Sequence, residues 1–437
     1  MKNFIKINRV INPFNKTISV EGDKSLSIRW VLLSSLSKKK SVAYNLLVSE
    51  DVKSAIDCIK KLGAKVKLSK KKCEIRGVGF NYQNKKNLVL NAGNSGTLGR
   101  LILGLLVNYE NNFKLIGDKS LSKRDFSRVS TPLKKFGASF SSSKVLPLTM
   151  KGINNPKSIQ YLEDRGSAQC KTSIMFAALK SNGTTKIKAK KSRNHTELLF
   201  KYLKVPLKIK KYRKYDDIRI KGIKKINPIN YKIPGDISSC SFFMVLTILS
   251  KNSKLLLKNI NINPSRTGII HILKKMGASI NIKNRRKYKG EIIGDILVKS
   301  SKNLKAIKCP SKYNSSAIDE FLVIFLVAAK SKGISFFKDL AELNQKESPR
   351  LKMGSKILNS MGIKTSLTKN SIKIYGKPSH IVPKNILISN FLKDHRVFMM
   401  CTVAALTFES KGNWVIKDLD SVKTSFPSFL KTLQKLM

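Results

Sequence analysis

The chain is predicted to be an α/β protein of two domains, each assembled from three related units, on the evidence of its length and two internal repeats. At 437 residues it is too long for one hydrophobic core and suits two domains of ordinary size. A helix-like stretch that ends in a tight turn and leads into a strand-like stretch recurs along it. The copies are IKKLGAKVKL at 59–68, LKKFGASF at 133–140 and LKKMGASINI at 273–282, with a weaker one, LNSMGIKTSL, at 358–367. FKYLKVPLKI at 200–209 keeps the rhythm without the glycine, and the final helix, from about 428 to 436, stands where a sixth copy would stop. Each Gly follows an apolar-periodic helix, suits the left-handed C′ position and precedes β-branched alternation. Copies roughly 65–85 residues apart are too widely spaced for a solenoid and about right for small βαβ-containing units, so six of them group as two sets of three.

The second repeat is sharper. GDKSLSIR at 22–29 returns as GDKSLSKR at 117–124, and a related PGDISS occupies 234–239. Helical apolar patterns follow the first and third copies, at 30–36 and 242–249, while strand-like runs precede the first two, at 17–20 and 113–116. A strand–turn–helix entry directs backbone N–H groups and hydroxyls out of the turn, where they can hold an anion. Two near-identical octapeptides with the same Lys, Ser and Arg therefore point to a shared site.

Further polar clusters precede apolar helices. AGNSGTLGR (92–100) runs into 101–107, GSAQCKTS (166–173) carries Ser167, Gln169 and Lys171, and SRNHTE (192–197) offers Ser192 or Asn194 as a helix cap. In the second half, DEFLVIFLVAA (319–329) sets two carboxylates before a buried helix, whose dipole stabilises a carboxylate that could accept a proton. QKESPR (345–350) gathers Lys346, Glu347 and Arg350, and DHR (394–396) precedes the apolar run 397–406.

Composition excludes more than it assigns. An apolar fraction of 41% supports globular cores. The formal charge of +60 attracts anions of any kind, but the lysines are spread along the whole Ile- and Asn-rich chain, so individual cations must carry the argument. No RNP motif, zinc pattern or basic helix is present, and no nucleic-acid partner is expected. Neither a Walker loop nor GxGxxG occurs. Six scattered cysteines and four histidines give no metal-ligand spacing, so neither metal nor cofactor is expected. The first sixteen residues lack an apolar signal core, and the longest apolar run, 321–329, is too short to span a bilayer. A cytoplasmic monomer without membrane contact is the expectation.

The order of these clusters, extended by NPSRTGIIHILKKMGA (263–278) and SFPSF (425–429), resembles the 5-enolpyruvylshikimate-3-phosphate synthase family over nearly the whole chain. The resemblance implies an enolpyruvyl transferase fold: two domains, each an inside-out α/β barrel of three βαβαββ units with pseudo-threefold symmetry. It places the domains at 22–235 and at 1–21 with 236–437, with crossings near 21–23 and 233–236 and substrates in a cleft that closes. It also implies transfer of the enolpyruvyl group of phosphoenolpyruvate to the 5-hydroxyl of 3-phosphoshikimate. By motif match Asp319 is the base, and Glu347 the proton donor and acceptor with Lys24 beside it. Phosphoenolpyruvate falls to Lys24, Gly96, Arg124, Gln169, Arg350 and Arg396. 3-Phosphoshikimate falls to Lys24, Ser25, Arg29, Ser167, Ala168, Gln169, Ser192, Asp319 and Lys346.

Four positions depart from the family pattern. Ile28 replaces a common His, and Asn344 with Pro349 replaces the Arg and Asp of RVKESDR. Thr424 stands where some members carry a phosphate-binding Lys. Loss of that Arg and Asp is expected to weaken the support around Lys346 and Glu347, and Pro349 removes a backbone donor beside Arg350. The sister transferase that acts on UDP-N-acetylglucosamine usually carries a mobile-loop Cys, which would fall near 111–124, and no cysteine occurs there.

Overall fold

The computed structural model describes residues 3–69, 72–80, 87–141 and 144–437. Among the described residues the strands form six small sheets. The chain divides into two compact units, Met1–Glu21 with Pro234–Lys287 and Ile292–Met437, and Gly22–Ile233 with Tyr288–Glu291.

One repeat shows the pattern in full. Strand Leu88–Asn91, helix Gly96–Leu106, strand Asn112–Ile116, helix Ser127–Lys135 and strands Ser139–Phe140 and Leu148–Lys151 follow in that order. The first two strands pair in parallel and the others antiparallel, giving the spatial order first, second, fourth, third. The sheet from Gln160–Glu163 to Tyr215–Lys221 repeats it. Other sheets borrow a strand from elsewhere in their unit: Tyr231–Lys232 pairs with Ser41–Tyr44, Asn15–Ile18 with Lys254–Asn261, and Phe4–Ile7 with Trp414–Lys417.

The first helix of each repeat forms the core. These are Lys24–Ser34, Gly96–Leu106, Ala168–Ala177, Ile237–Leu249, Phe321–Ala329 and His395–Thr407. Every residue of the last three is buried, as helices that are largely apolar on all sides require. Helices Gly96–Leu106 and Ala168–Ala177 meet backbone to backbone at Gly104, where a Cβ would lie 2.0 Å from the Ser173 carbonyl oxygen. Polar caps start the helices: Asp23 accepts from Leu26 N (2.9 Å), Ser95 from Leu98 N (3.2 Å), Ser167 from Cys170 N (3.2 Å), and Asp394 from Arg396 N (3.0 Å). GDKSLSIR, AGNSGTLGR, GSAQCKTS, PGDISS, the Asp319–Glu320 pair and DHR lie at these N-termini, whereas SRNHTE and QKESPR start second helices. Among the described residues no helix is long and apolar enough to cross a membrane.

The second helix of each repeat packs one face inward and stops at the predicted turn. Gly63, Gly137, Gly277 and Gly362 have φ of 99°, 108°, 88° and 85°. The copy without glycine makes the same turn with Lys204 at φ 57°. Val205 N–H donates to Phe200 O, as Ala64 N–H does to Ile59 O, so the capping bond forms despite the strain of a side chain there. Lys204→Gly should therefore raise stability by about 0.5–1 kcal/mol. Gly137→Ala should lower it by more than about 1 kcal/mol, since its Cβ would also meet Ile153 Cδ1 at 3.0 Å. Urea unfolding midpoints of the two variants test the pair.

Candidate active site

In the Gly22–Ile233 unit, the first octapeptide opens helix Lys24–Ser34. Lys24 Nζ lies 3.0 Å from the Asp51 carboxylate. Arg29, one turn further on, is buried: Nη1 donates to Ser25 O (3.0 Å), Nε to Thr196 Oγ1 (2.8 Å) and Nη2 to Thr172 Oγ1 (3.0 Å). The second octapeptide begins with the same turn, Asp118 accepting from Leu121 N at 2.7 Å. It then winds only the 3₁₀ turn Leu121–Lys123 before extending at Arg124. The position that differs between the copies is buried Ile28 in one and exposed Lys123 in the other.

Arg124 reaches the start of helix Gly96–Leu106. A Cβ on Gly96 would lie 3.0 Å from Nη1 of both Arg100 and Arg124, so glycine is what lets two guanidinium groups approach this turn. Gln169 braces the first of them, its Oε1 accepting from Arg100 Nη1 (2.8 Å) while its Nε2 donates to Thr97 Oγ1 (3.0 Å). Ser167 caps the helix that Ala168 begins, and its N–H lies 3.0 and 3.1 Å from the Glu163 carboxylate oxygens. Burial pushes the Glu163 carboxyl up, against the backbone N–H groups and Lys171 that favour its charge. Asn194, not Ser192, stands at the N-cap of His195–Tyr202, and Ser192 Oγ is a buried hydroxyl with no hydrogen-bond partner among the described residues. Burial pushes the Cys170 thiol up to about 12, so it stays protonated at neutral pH.

In the other unit, Asp319 precedes the buried helix Phe321–Ala329. Its carboxylate meets Lys346 Nζ (3.2 Å) and Arg350 Nη1 (3.4 Å), and its carbonyl oxygen accepts from Arg396 Nη1 (2.9 Å). Arg350 is buried at the start of helix Arg350–Ser360. It forks onto Asp394 through Nε (2.9 Å) and Nη2 (3.2 Å), and Nη2 also meets Glu347 at 2.5 Å. Burial opposes the Arg350 charge, but Asp394, Glu347 and Asp319 outweigh it and raise the guanidinium above its ordinary range. Burial likewise opposes the Asp394 charge; Arg350 overcomes it, and the carboxyl sits below the usual aspartate range.

Each unit thus gathers its own share of the expected residues: Lys24, Ser25 and Arg29, with Gly96, Arg124 and Gln169, in one; Asp319, Lys346, Glu347, Arg350 and Arg396 in the other. The departures also find places. Pro349 stands at an N-cap, so the helix asks no N–H of it. Arg350 is oriented instead by Asp394, to which Ser348 Oγ also donates at 2.8 Å. Asn344 donates to Lys369 O at 3.4 Å, and Thr424 Oγ1 lies 3.2 Å from His395 Nδ1. Sequence reasoning gave no role to Asp51, Arg100, Asp394 or Arg266, the last buried and donating to Asp236 Oδ1 (3.0 Å) and Ser238 Oγ (2.8 Å). Arg100, Arg266 and Asp394 lie within the motifs AGNSGTLGR, NPSRTGIIHILKKMGA and DHR, but nothing local marks Asp51, or shows that Arg266 pairs with residues distant in the chain.

Six α/β repeats with charged side chains at the N-termini of buried helices make up the enolpyruvyl transferase fold. The solved enolpyruvyl transferase NikO from Streptomyces tendae matches at a TM-score of 0.78 over 99% of this chain and 97% of its own, and at 12% identity the likeness is one of fold alone. A solved EPSP synthase from Acinetobacter baumannii matches at 0.85 with 32% identity, covering 99% of this chain and 97% of that one. The 3-phosphoshikimate 1-carboxyvinyltransferase of Caldicellulosiruptor bescii is 36% identical over 424 residues, 96% of each chain. The family model of EPSP synthase (3-phosphoshikimate 1-carboxyvinyltransferase) matches residues 9–433, and the chain belongs to that family.

Asp394→Asn removes the main counter-charge of a buried guanidinium. With Glu347 and Asp319 still in contact, the expected loss is about 3 kcal/mol, at the low end for a broken buried pair. Because the folded carboxyl is depressed, its contribution is complete above the usual aspartate value of about 3.9. It is lost as pH falls through the lower folded value. Denaturant titrations should therefore show the gap between wild type and Asp394→Asn closing below about pH 4.

Proposed function

We propose that the chain transfers the enolpyruvyl group of phosphoenolpyruvate to the 5-hydroxyl of 3-phosphoshikimate, releasing phosphate and forming 5-enolpyruvylshikimate-3-phosphate. This is a step of the shikimate pathway toward chorismate and the aromatic amino acids. The observation that supports it most is the gathering of Asp319, Glu347 and Asp394 on one buried guanidinium, beside Lys346 and Arg396, in a member of this family. That set supplies both an acid–base pair and cations for small anions.

The chemistry follows from the charges. Lys346 and Arg350 beside Asp319 favour its ionised form, the form that takes a proton from the 5-hydroxyl. The freed oxygen attacks C2 of phosphoenolpyruvate while C3 receives a proton from Glu347. An anionic substrate arriving beside Glu347 favours its neutral, proton-donating form. The tetrahedral adduct then collapses: Glu347 takes a proton back from C3, the C2–O bond to phosphate breaks, and phosphate departs. Lys24 assists these proton transfers. Phosphoenolpyruvate is held by Lys24, Gly96, Arg124, Gln169, Arg350 and Arg396, whose guanidinium forks match phosphate and carboxylate. 3-Phosphoshikimate is held by Lys24, Ser25, Arg29, Ser167, Ala168, Gln169, Ser192, Asp319 and Lys346. The reaction so drawn calls on no cofactor, and the chain acts as a cytoplasmic monomer.

The test is phosphate release from the two substrates together. Asp319→Ala should lower kcat by about 10²- to 10⁴-fold, the range for losing a general base. Glu347→Gln should do the same with smaller effects on KM. Turnover with UDP-N-acetylglucosamine in place of 3-phosphoshikimate, and none with the proposed pair, would overturn the assignment.

A further inference from the structure

Lys171 is among the largest fully buried side chains, and neither it nor Glu197 has a part in the reaction as drawn. Lys171 Nζ lies 2.6 Å from Glu197 Oε1, and the side chains are 1% and 4% exposed. The second carboxylate oxygen, Oε2, is buried without a hydrogen-bond partner among the described residues. Stability alone is a poor reason for this arrangement, because a well-packed apolar pair of the same volume often serves a core as well or better.

The position of the pair supplies another reason. Lys171 lies on helix Ala168–Ala177 and is followed by Thr172; Glu197 lies on helix His195–Tyr202 and is preceded by Thr196. The two threonine hydroxyls are 2.7 Å apart, and Arg29 donates to both, through Nη2 at 3.0 Å and Nε at 2.8 Å. The ion pair and the hydroxyl pair are adjacent rungs between the same two helices. A hydroxyl contact of this length weakens once the helices part by a few tenths of an ångström, and the guanidinium would then lose its aim.

We infer that Lys171 and Glu197 are positioning residues: their buried ion pair sets the spacing of the two helices so that Thr172 and Thr196 hold Arg29 in the orientation that meets 3-phosphoshikimate. The inference rests on the assignment of Arg29 to that substrate. It is tested with the double variant Lys171→Met/Glu197→Met, which removes both charges of the pair and leaves Glu163 the backbone N–H groups that favour its charge. The variant should unfold at the wild-type temperature or above. KM for 3-phosphoshikimate should rise at least about tenfold, with kcat and KM for phosphoenolpyruvate within about twofold of wild type. In ¹⁵N NMR of the free protein, the Arg29 Nε–H should exchange with water at least about tenfold faster. An unchanged KM with unchanged exchange overturns the inference. So does a lowered unfolding temperature with kcat and both KM values worsening together, which marks a structural role only. If the wild type releases no phosphate, the functional reading fails and the Nε–H exchange alone decides the positioning.

Discussion

The architecture depends on six helices buried along their flanks. A helix buried on every side satisfies its backbone internally except at its ends, so polar chemistry is confined to the end turns. In Ile237–Leu249, Phe321–Ala329 and His395–Thr407 no residue reaches solvent freely, and the polar groups of the motifs gather at the N-termini. There the unpaired N–H groups and the helix dipole favour capping carboxylates and bound anions. Close backbone contacts such as that at Gly104 make these end turns a rigid frame, so a displaced helix displaces the side chains at its tip.

The two units hold their arginines differently. Arg350 is gripped by the carboxylates of Asp394, Glu347 and Asp319, which offset its charge. Arg29 donates to two hydroxyls and a carbonyl oxygen, which orient its guanidinium. Arg100 and Arg124 converge at Gly96, where Arg100 is braced by the neutral amide of Gln169. Carboxylates thus offset a buried guanidinium in one unit, while hydroxyl, carbonyl and amide oxygens orient guanidinium groups in the other. The net charge of +60 has little to do with either, because the distinction lies in which neighbours a few buried cations have.

Much of the fold was legible because its determinants are local. The helix-to-strand turns at Gly63, Gly137, Gly277 and Gly362 follow from apolar period and a residue free to take positive φ. Even Lys204 kept the register, since the flanking pattern defined the turn without the glycine. The polar clusters were legible as helix starts, and their order identified the family. Less legible were the strands borrowed across the chain, such as Asn15–Ile18 beside Lys254–Asn261, since pairing over that separation leaves no local trace. Partners such as Asp51 for Lys24, Thr172 and Thr196 for Arg29, and Arg266 for Asp236 were equally hidden.

The duplicated GDKSLS separates the two kinds of information. By itself the sequence determines the turn in both copies: an Asp followed by small polar residues caps the N–H three positions on, at Leu26 in one and Leu121 in the other. The path of the chain beyond each turn was decided by the tertiary structure. After the first copy Ile28 and Trp30 are taken into a core, and the chain continues as an eleven-residue helix. After the second, Lys123 is exposed, the chain makes a single 3₁₀ turn, and Arg124 extends toward Gly96. A cap is a short-range bond that the residues beside it can specify. The length of a helix and the aim of an arginine depend on which distant surfaces are there to bury or to meet them.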